Sequence, residues 1–342
     1  MQARTRIGVT RPSFASRAAG TVIILIGAVW TLHDVAWRAL WSHITAAAPG
    51  WVALAALTNM VVVLLQTLRW LSLVRPLSPR IRFIEAFDSL IVCLAVSTVI
   101  PARAGEIVRV RSLSRKTGLP LASVIATIGL DYVVNAVTLA LGVVLLLFFI
   151  DLPAWMHARR LAAVLVVGGA VLAALSFSTR SARGVPRTGF LATLRHGLGA
   201  ASQPRALALS ITASMAMWIL EIFMTSFSMR AVGIDLPLSS ACLVLLGVNL
   251  ALAIPFQPPG NFGLVEVGAA VTLGGLGVGK EEALAFGIVY HLLQVVPIVV
   301  VGAAFWAGGR NLAAATPDGV GAMDTNGALT QIRLTQDRPP ER

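Results

Sequence analysis

The chain has 342 residues, of which 57% are hydrophobic and only 12% are charged, and its formal net charge is +12. Soluble domains carry about 25% charged residues, so this composition excludes an ordinary water-soluble globule. It also argues against nucleic-acid binding, because the sequence offers no polar domain on which basic residues could form a binding face. Cys93 and Cys242 both lie in apolar blocks, and their spacing predicts neither a disulfide framework nor a metal site.

Apolar residues come in blocks, several of which are long enough to cross about 30 Å of hydrocarbon as a helix. In chain order the blocks span about 18–36, 51–74, 83–100, 122–150, 161–179, 206–230, 238–256, 264–279 and 282–307. The sequence therefore predicts an all-α polytopic membrane protein, with a transmembrane domain over 18–309. We expect the basic segment 1–17 to precede a retained first helix, and the polar tail 310–342 to be disordered.

The basic residues predict the topology, because Lys and Arg accumulate on the cytoplasmic side of membrane proteins. If the block 83–100 crossed the membrane, Arg103, Arg109 and the basic residues after them would lie outside. We therefore predict that the block 83–100 enters and returns on the cytoplasmic side, and that 238–279 enters and leaves on the opposite side. This leaves about six full spans plus two broken hairpins, with both termini in the cytoplasm.

The two halves, about 51–150 and 205–308, are predicted to be inverted repeats. Each contains a long helix, a broken hairpin and another long helix. The first apolar block of each hairpin ends in Ile-Pro, at 100–101 and at 254–255, and glycine and then glutamate follow. Inverted repeats with interrupted helices are a recurrent architecture of transporters, whose substrate site lies where the halves meet.

The first hairpin combines helix-breaking residues with charged ones. Pro101 stops the incoming helix, and Gly105 permits a tight backbone turn. Free amides at the start of the returning helix would form an anion site. Arg103 and Arg109, with Arg111 as a third candidate, could bind a phosphate bidentately there. Glu106 would then pair with one arginine or with a cationic headgroup. The alternative is that these are cytoplasmic loop charges that contact anionic lipid nonspecifically.

The second hairpin carries the strongest local signal, in which Pro258 and Pro259 are followed by Gly260 and Gly263. Backbone freed in this way is tolerated at membrane depth only when it is buried in protein or lines a wet cavity. Glu266 lies one turn into the next apolar block, so its carboxylate should face protein or water. The alternative is an ordinary extramembrane turn, in which the helix dipole favours Glu266.

Ionisable residues inside the apolar blocks should point into the bundle, because they are costly in lipid. Asp131 and Asn135, four residues apart, share a helix face, and so do His291 and Gln294. Each pair serves either function or interhelical hydrogen bonding. We interpret the Arg69-Trp70 pair as an interfacial anchor, in which the arginine snorkels to the surface. The ionisable residues inside these blocks are Asp88, Asp131, Glu221 and His291.

These motifs follow in chain order: Arg69-Trp70, Pro101-x-Arg103-x-Gly105-Glu106-x-x-Arg109, Asp131, Pro258-Pro259-Gly260-x-x-Gly263-x-x-Glu266 and His291-x-x-Gln294-x-x-Pro297. Together they resemble the flippase-like membrane domain of lysylphosphatidylglycerol synthases and its stand-alone relatives in glycolipid or hopanoid pathways. The resemblance covers roughly residues 50–308. It implies movement of a lipid with a modified headgroup between leaflets, through a cavity between two inverted halves.

The sequence departs from this family in two ways. Many relatives carry a Glu-Arg pair just before the aspartate that matches Asp131, whereas this chain has Thr127-Ile128, so we expect any ion pair there to be absent. We expect no aminoacyl-transferase domain and no lysyl transfer, because the sequence after Arg310 is a polar segment without periodicity.

We expect an integral membrane lipid translocase of the cytoplasmic membrane, with no enzymatic activity, no cofactor and no metal. Arg103 and Arg109 would hold a phosphate, while carboxylates balance charge or receive a cationic headgroup. No Gly-x-x-x-x-Gly-Lys loop is present, so ATP is not expected to drive transport. The expected partners are membrane lipids and a lipid-modifying enzyme of the same pathway. The expected lipid-binding residues are Arg103, Glu106, Arg109, Asp131, Asn261, Glu266 and His291.

Two other classes of protein would fit the same pattern. Broken helices also suit a secondary transporter or channel for a small polar solute. An intramembrane enzyme could use Glu106, Asp131 or His291 as an acid or base. Such an enzyme needs a nucleophile and a base within reach of each other, and the sequence shows no such close pairing.

Overall fold

The fold is known from a computed structural model, which describes residues 35–99, 104–149, 203–253 and 258–308. These residues are helical and contain no strand, which confirms an all-α polytopic membrane protein. The predicted span 161–179, nearly all of 18–36, the basic N-terminus and the tail beyond 309 lie outside the described residues. So do Pro101 and Arg103 of the first hairpin.

Nine α-helices and one short 3₁₀ helix account for most of the described chain. They are α1 Trp37–Thr45, α2 Pro49–Val74, α3 Phe83–Val99, α4 Ala104–Thr117, α5 Leu121–Phe149, α6 Pro204–Ala231, α7 Leu238–Leu252, the 3₁₀ helix η1 Pro259–Asn261, α8 Leu264–Gly275 and α9 Lys280–Ala307.

Helix length separates two kinds of element. Over the described part of the chain, α2, α5, α6 and α9 are long and apolar enough to cross a membrane. The helices of the two predicted hairpins are shorter, with 17 residues in α3, 14 in α4, 15 in α7 and 12 in α8. At 1.5 Å per residue these helices extend about 18–26 Å, which is less than the roughly 30 Å of hydrocarbon.

The helices of the first hairpin pack closely because small and polar residues lie between them. A Cβ added to Gly105 on α4 would collide with the Cys93 carbonyl oxygen and the Ser97 hydroxyl on α3. Farther along, the hydroxyl groups of Ser89 and Ser112 are 2.9 Å apart. Lys116 donates to the Asp88 carboxylate at the far end of the pair, so Asp88 links the two helices of the hairpin.

The two halves are joined through α2 and α6, which run antiparallel. The Ala48 amide before α2 donates to the Ala231 carbonyl oxygen at the end of α6, at 2.8 Å. Near the other end of α2, Arg69 Nη1 is 3.3 Å from the Ser214 hydroxyl near the start of α6. Both α2 and α6 pack against α5 and α9. This mirrored pattern of contacts agrees with the predicted inverted repeat.

The turn of the second hairpin contacts the first hairpin. Gly260, Asn261 and Gly263 have positive φ angles of 59°, 62° and 88°, a conformation that glycine adopts without steric cost. A Cβ added to Gly260 would lie 3.1 Å from the Thr98 carbonyl oxygen near the end of α3. The turn that follows Pro258 therefore packs against the end of α3.

We expect Gly105→Ala to lower the thermal midpoint of the protein purified in detergent. The added methyl group must displace the α3 backbone, and overpacking of this kind costs about 1–3 kcal/mol. Gly142→Ala on α5 is the matched control, because a Cβ there meets nothing within 4 Å. Equal midpoints for the two variants would contradict the close approach of α3 and α4.

Candidate functional site

A buried ion cluster joins three helices. Arg69 on α2 donates from Nε to Asp131 Oδ1 on α5, at 2.7 Å. Arg109 on α4 donates from Nη2 to Asp131 Oδ2, at 3.1 Å. The exposed fractions are 2% for each arginine and 1% for the aspartate. One carboxylate therefore binds two guanidinium groups, one on each oxygen, and ties α2, α4 and α5 together.

The cluster is completed by polar and aromatic neighbours. Arg69 Nη1 also donates to the side-chain oxygen of Asn135, which confirms that Asp131 and Asn135 share a face. The guanidinium carbon of Arg109 lies 3.9 Å from the centroid of the Trp70 ring, a cation–π geometry. Trp70 Nε1 in turn donates to the Thr127 hydroxyl, at 3.3 Å. Thr127, one of the two residues at which this sequence departs from the family pattern, thus contacts the cluster through the indole of Trp70.

The interpretation of Arg69 and Trp70 as an interfacial anchor is wrong. Both side chains are buried, with exposed fractions of 2% and 0%. A carboxylate on the neighbouring helix offers Arg69 a partner inside the bundle, so its charge does not need to reach the membrane surface. The sequence held a signal for this, because Asp131 and Asn135 share a face that needs a cationic or donor partner.

The cluster also changes the role of the first hairpin. Arg109 was expected to present an open guanidinium to a phosphate, but the structure buries it between Asp131 and Trp70. Glu106 supplies a second carboxylate, with its Oε2 3.9 Å from Arg109 Nη1. Two arginines and two carboxylates therefore balance in charge. Arg109 acts here as a structural link between helices.

An open groove of about 460 Å³ lies between α4 and α5. Its walls are mainly apolar, and Ile107 and Ile125 on its two sides are 58% and 44% exposed, so the groove faces away from the bundle. From Leu121 to Tyr132 it follows α5 for roughly 16 Å at 1.5 Å per residue. The lining residues are Glu106, Ile107, Val110, Arg111, Leu121, Ile125, Ile128, Gly129 and Tyr132.

A carboxylate stands at the end of this groove nearest the hairpin turn. The Tyr132 hydroxyl donates to Glu106 Oε1. The other oxygen, Oε2, is buried and has no hydrogen-bond partner within the described part of the chain. Sequence reasoning selected Glu106 and Asp131 but missed Tyr132, which lies directly after the aspartate.

The second hairpin has its own polar network, and it brings together three of the predicted residues. Glu266 Oε1 is 2.7 Å from His291 Nδ1 on α9, and Glu266 Oε2 accepts from the Gly263 amide at 2.7 Å. The other ring nitrogen, His291 Nε2, is 2.7 Å from the Gly260 carbonyl oxygen. Asn261 lies in the same turn. The network fastens η1 and α8 to α9.

The networks of the two hairpins occupy equivalent positions in the repeats. Glu106 and Glu266 are each the third residue of the returning helix, and Tyr132 and His291 are each the twelfth residue of the next long helix. The partners are separated by 26 residues in the first half and by 25 in the second. The two halves therefore correspond at these positions as well as at the Ile-Pro pairs 100–101 and 254–255, which supports the predicted inverted repeat.

The ion cluster does not follow this symmetry. Arg109 is the sixth residue of α4 and Asp131 the eleventh of α5, and the same positions of α8 and α9 hold Ala269 and Tyr290. Both Ala269 and Tyr290 are fully buried. The first half therefore has a buried ion pair where the second half has apolar packing. Among the described residues, no group of three His, Cys, Asp or Glu side chains could hold a metal ion.

We expect Asp131→Asn to lower the free energy of unfolding by about 3–5 kcal/mol, because it leaves two buried arginines with Glu106 as their one carboxylate among the described residues. The measurement is thermal unfolding of the purified protein in detergent. Arg82→Gln is the matched control, since it removes an ion pair to Glu85 in which Arg82 is 74% exposed. Such an exposed pair contributes about 0–1 kcal/mol.

A double variant tests the charge balance directly. Asp131→Asn combined with Arg109→Met removes one buried cation together with the anion. We expect it to unfold at a higher temperature than Asp131→Asn alone. A double variant that is less stable than the single one would contradict the pairing of Arg109 with Asp131.

Comparison with known proteins places the chain in a family. The profile of the family described as "Lysylphosphatidylglycerol synthase TM region" matches residues 17–302. A protein of Methanothermobacter thermautotrophicus named "UPF0104 membrane protein" is 26% identical to this chain over 292 residues, covering 75% of this chain and 84% of that protein. The matched residues include both hairpins, the ion cluster and the groove. The chain is therefore a multi-pass membrane protein that belongs to the family of lysylphosphatidylglycerol synthase transmembrane regions.

Proposed function

We propose that this protein is a lipid translocase, which moves a phospholipid with a modified headgroup, a glycolipid or a related lipid between leaflets without catalysing a reaction. The observation that carries the proposal is the groove between α4 and α5. A transported lipid needs an apolar surface for its chains and polar groups for its head, and the groove offers both. Membership of the family adds support, because that family comprises membrane domains of proteins named for lipid synthesis.

The chemistry of the groove suits a lipid better than a small polar solute. Ile107, Ile125 and Ile128 form an apolar wall that can hold an acyl chain. Glu106 and the hydroxyl of Tyr132 lie at one end, where they can bind donors of a headgroup. Arg111 also lines the groove and can bind a phosphate by charge-assisted hydrogen bonds.

The ion cluster lies on the side of α4 that faces the bundle, opposite the groove. Arg109 points inward to Asp131, while its neighbours Val110 and Arg111 line the groove. Because successive residues of a helix point in different directions, the buried Arg109 sets the rotation of α4. We propose that the cluster serves to hold the groove open toward lipid.

We further propose that the two hairpins are re-entrant and enter from opposite sides of the cytoplasmic membrane, with both termini in the cytoplasm. The short helices α3, α4, α7 and α8 support this, as does the excess of Lys and Arg around the first hairpin. In this topology, the groove begins at the cytoplasmic surface near Leu121. It covers roughly 16 Å along α5, which is about half of the hydrocarbon thickness.

We expect Ile125→Trp to slow the movement of a fluorescent phospholipid across proteoliposome membranes by about tenfold, which corresponds to a barrier higher by about 1.4 kcal/mol. The indole would fill the groove between α4 and α5. Leu57→Trp is the matched control, because Leu57 is 65% exposed on α2 and does not line the groove. The rate is measured by quenching of the outer-leaflet label with a membrane-impermeant reductant.

Two outcomes would contradict this proposal. The first is that labelled lipids of several headgroups cross no faster with the protein than without it. The second is that Ile125→Trp and Leu57→Trp slow transfer equally, which would separate transport from the groove. Uptake of a polar solute by sealed vesicles, without lipid transfer, would instead favour the solute-transporter alternative.

A further inference from the structure

We propose that Glu266 and His291 form a proton-binding site, and that the bound proton fastens the second hairpin to α9. The site itself follows from the geometry of the hydrogen bonds. Its coupling to transport rests on the lipid-translocase function proposed above.

The first step concerns Nε2 of His291. This nitrogen lies 2.7 Å from the Gly260 carbonyl oxygen, and a carbonyl oxygen can only accept a hydrogen bond. Nε2 must therefore carry a hydrogen. A neutral imidazole has only one N–H, so in the neutral ring Nδ1 would be a bare acceptor.

The second step concerns the contact on the other side of the ring. Nδ1 lies 2.7 Å from Glu266 Oε1, and an ionised carboxylate is also only an acceptor. Two acceptors at this distance repel unless a proton lies between them. The contact therefore holds one additional proton, either on Nδ1 as an imidazolium or on Oε1 as a neutral acid. Glu266 Oε2 is already engaged by the Gly263 amide, which fixes Oε1 toward the ring.

The Glu266–His291 contact is largely buried, so the hairpin depends on this proton to avoid an unpaired charge. The side chains of His291 and Glu266 are only 3% and 15% exposed, and the Phe262 ring lies 4.6 Å from the imidazole. Within the described ranges, no arginine or lysine forms an ion pair with Glu266. Loss of the proton would leave a largely buried carboxylate against a lone pair, which is unfavourable in an apolar site.

Few other charged groups face the pair from the packed elements. On α9 the preceding residue is Tyr290, which is fully buried, and α6 contributes Glu221, whose Oε2 is buried and has no hydrogen-bond partner among the described residues. The cation of α2, Arg69, is bound to Asp131. The described residues of α7 and η1 carry no charged side chain.

The remaining charged neighbours lie at the ends of the helices. Asp88 near the start of α3 is paired with Lys116, away from the end of α3 that meets η1. Helix α1 carries Arg38 and His43 and packs against the first turns of α9, where the Ala36 amide donates to Glu281. Among these groups, His291 is therefore the titratable side chain that is in contact with Glu266.

The equivalent contact of the first hairpin does not depend on an added proton. Tyr132 carries its own hydroxyl hydrogen at neutral pH and donates it to Glu106. The Glu106–Tyr132 and Glu266–His291 contacts thus occupy equivalent positions in the two hairpins but differ in chemistry. We expect a rise in pH to release the second hairpin from α9 by removing the shared proton, whereas the contact of the first hairpin uses the hydrogen that Tyr132 already carries. A proton gradient can therefore bias one half of the protein alone.

The protonation state can be observed without a transport assay. The full-length protein, labelled with ¹⁵N-histidine and held in lipid nanodiscs, is studied by NMR between about pH 5 and 9. The chain has 5 histidines, and the signal missing in His291→Gln identifies the ring. At low pH we expect Nδ1 of His291 to be protonated or to share a proton with the carboxyl group, and this signal to change as the pH rises.

Glu266→Gln is the informative variant, because its amide can donate to Nδ1 without a titrating proton. We expect the His291 signal in this variant to stay that of a neutral ring protonated on Nε2 at all pH values. Asp235→Asn is the matched control, since Asp235 is 90% exposed, and it should titrate like the wild type. A wild-type signal with a bare Nδ1 at every pH would overturn the proposal.

A second measurement follows the hairpin itself. Asn261→Cys is introduced together with Cys93→Ser and Cys242→Ser, because both native cysteines are free thiols. Its reaction with a membrane-impermeant maleimide is timed at low and high pH and divided by the rate of the exposed reference Asp235→Cys, because the reactive thiolate becomes more abundant as the pH rises. We expect this relative rate to be low at low pH and higher at high pH, and to be low at both when Glu266→Gln or His291→Tyr is added. A relative rate that does not depend on pH when neither of these substitutions is present would contradict the fastening role.

The two proposals can fail separately. If lipids do not move but His291 titrates with Glu266, the translocase function is wrong and the proton site stands. If lipids move at a rate that is independent of pH and Nδ1 is never protonated, the proton site is wrong and the translocase function stands.

Discussion

The pairing of Asp131 with two arginines is the interaction on which the first half of this protein depends. Within a membrane, a buried charge is tolerated when it is paired inside the bundle. Asp131 meets this requirement for Arg69 and Arg109 together, and the pairing joins α2, α4 and α5. It also orients α4, so that Val110 and Arg111 face the groove. The shape of the proposed lipid path thus follows from an electrostatic constraint.

The two repeats share a design but differ in chemistry. In both halves, a glutamate at the start of the returning hairpin helix binds a side chain on the following long helix. The first half adds a buried ion cluster, while the second places Ala269 and Tyr290 at the corresponding positions. The first hairpin is therefore held by charges and a phenol, and the second by a contact that needs a proton. Such a difference would let the two halves of an inverted repeat respond differently to a change in pH.

Much of the architecture could be predicted from local sequence. The apolar blocks predicted an all-α membrane protein, and the Pro258-Pro259-Gly260 segment was expected to interrupt the helix of the second hairpin. The choice of Glu266 and His291 followed from the cost of ionisable groups in lipid, and the structure brings them into contact. The interpretation of Arg69 was wrong because snorkelling was judged from its position near a helix end. Tyr132 was missed because a tyrosine in an apolar block carries no signal until its repeat partner, His291, is recognised.

The sequence by itself determined the membrane class, the breaks in the helices and the family, because hydropathy, proline and glycine act over a few neighbouring residues. Only the tertiary structure decided which charges meet. Arg69 and Asp131 are 62 residues apart, and Arg109 and Asp131 are 22 apart. Whether such side chains pair depends on the rotation and packing of separate helices. The same is true of His291, whose proton can be inferred only when acceptors from η1 and α8 are seen on both sides of its ring.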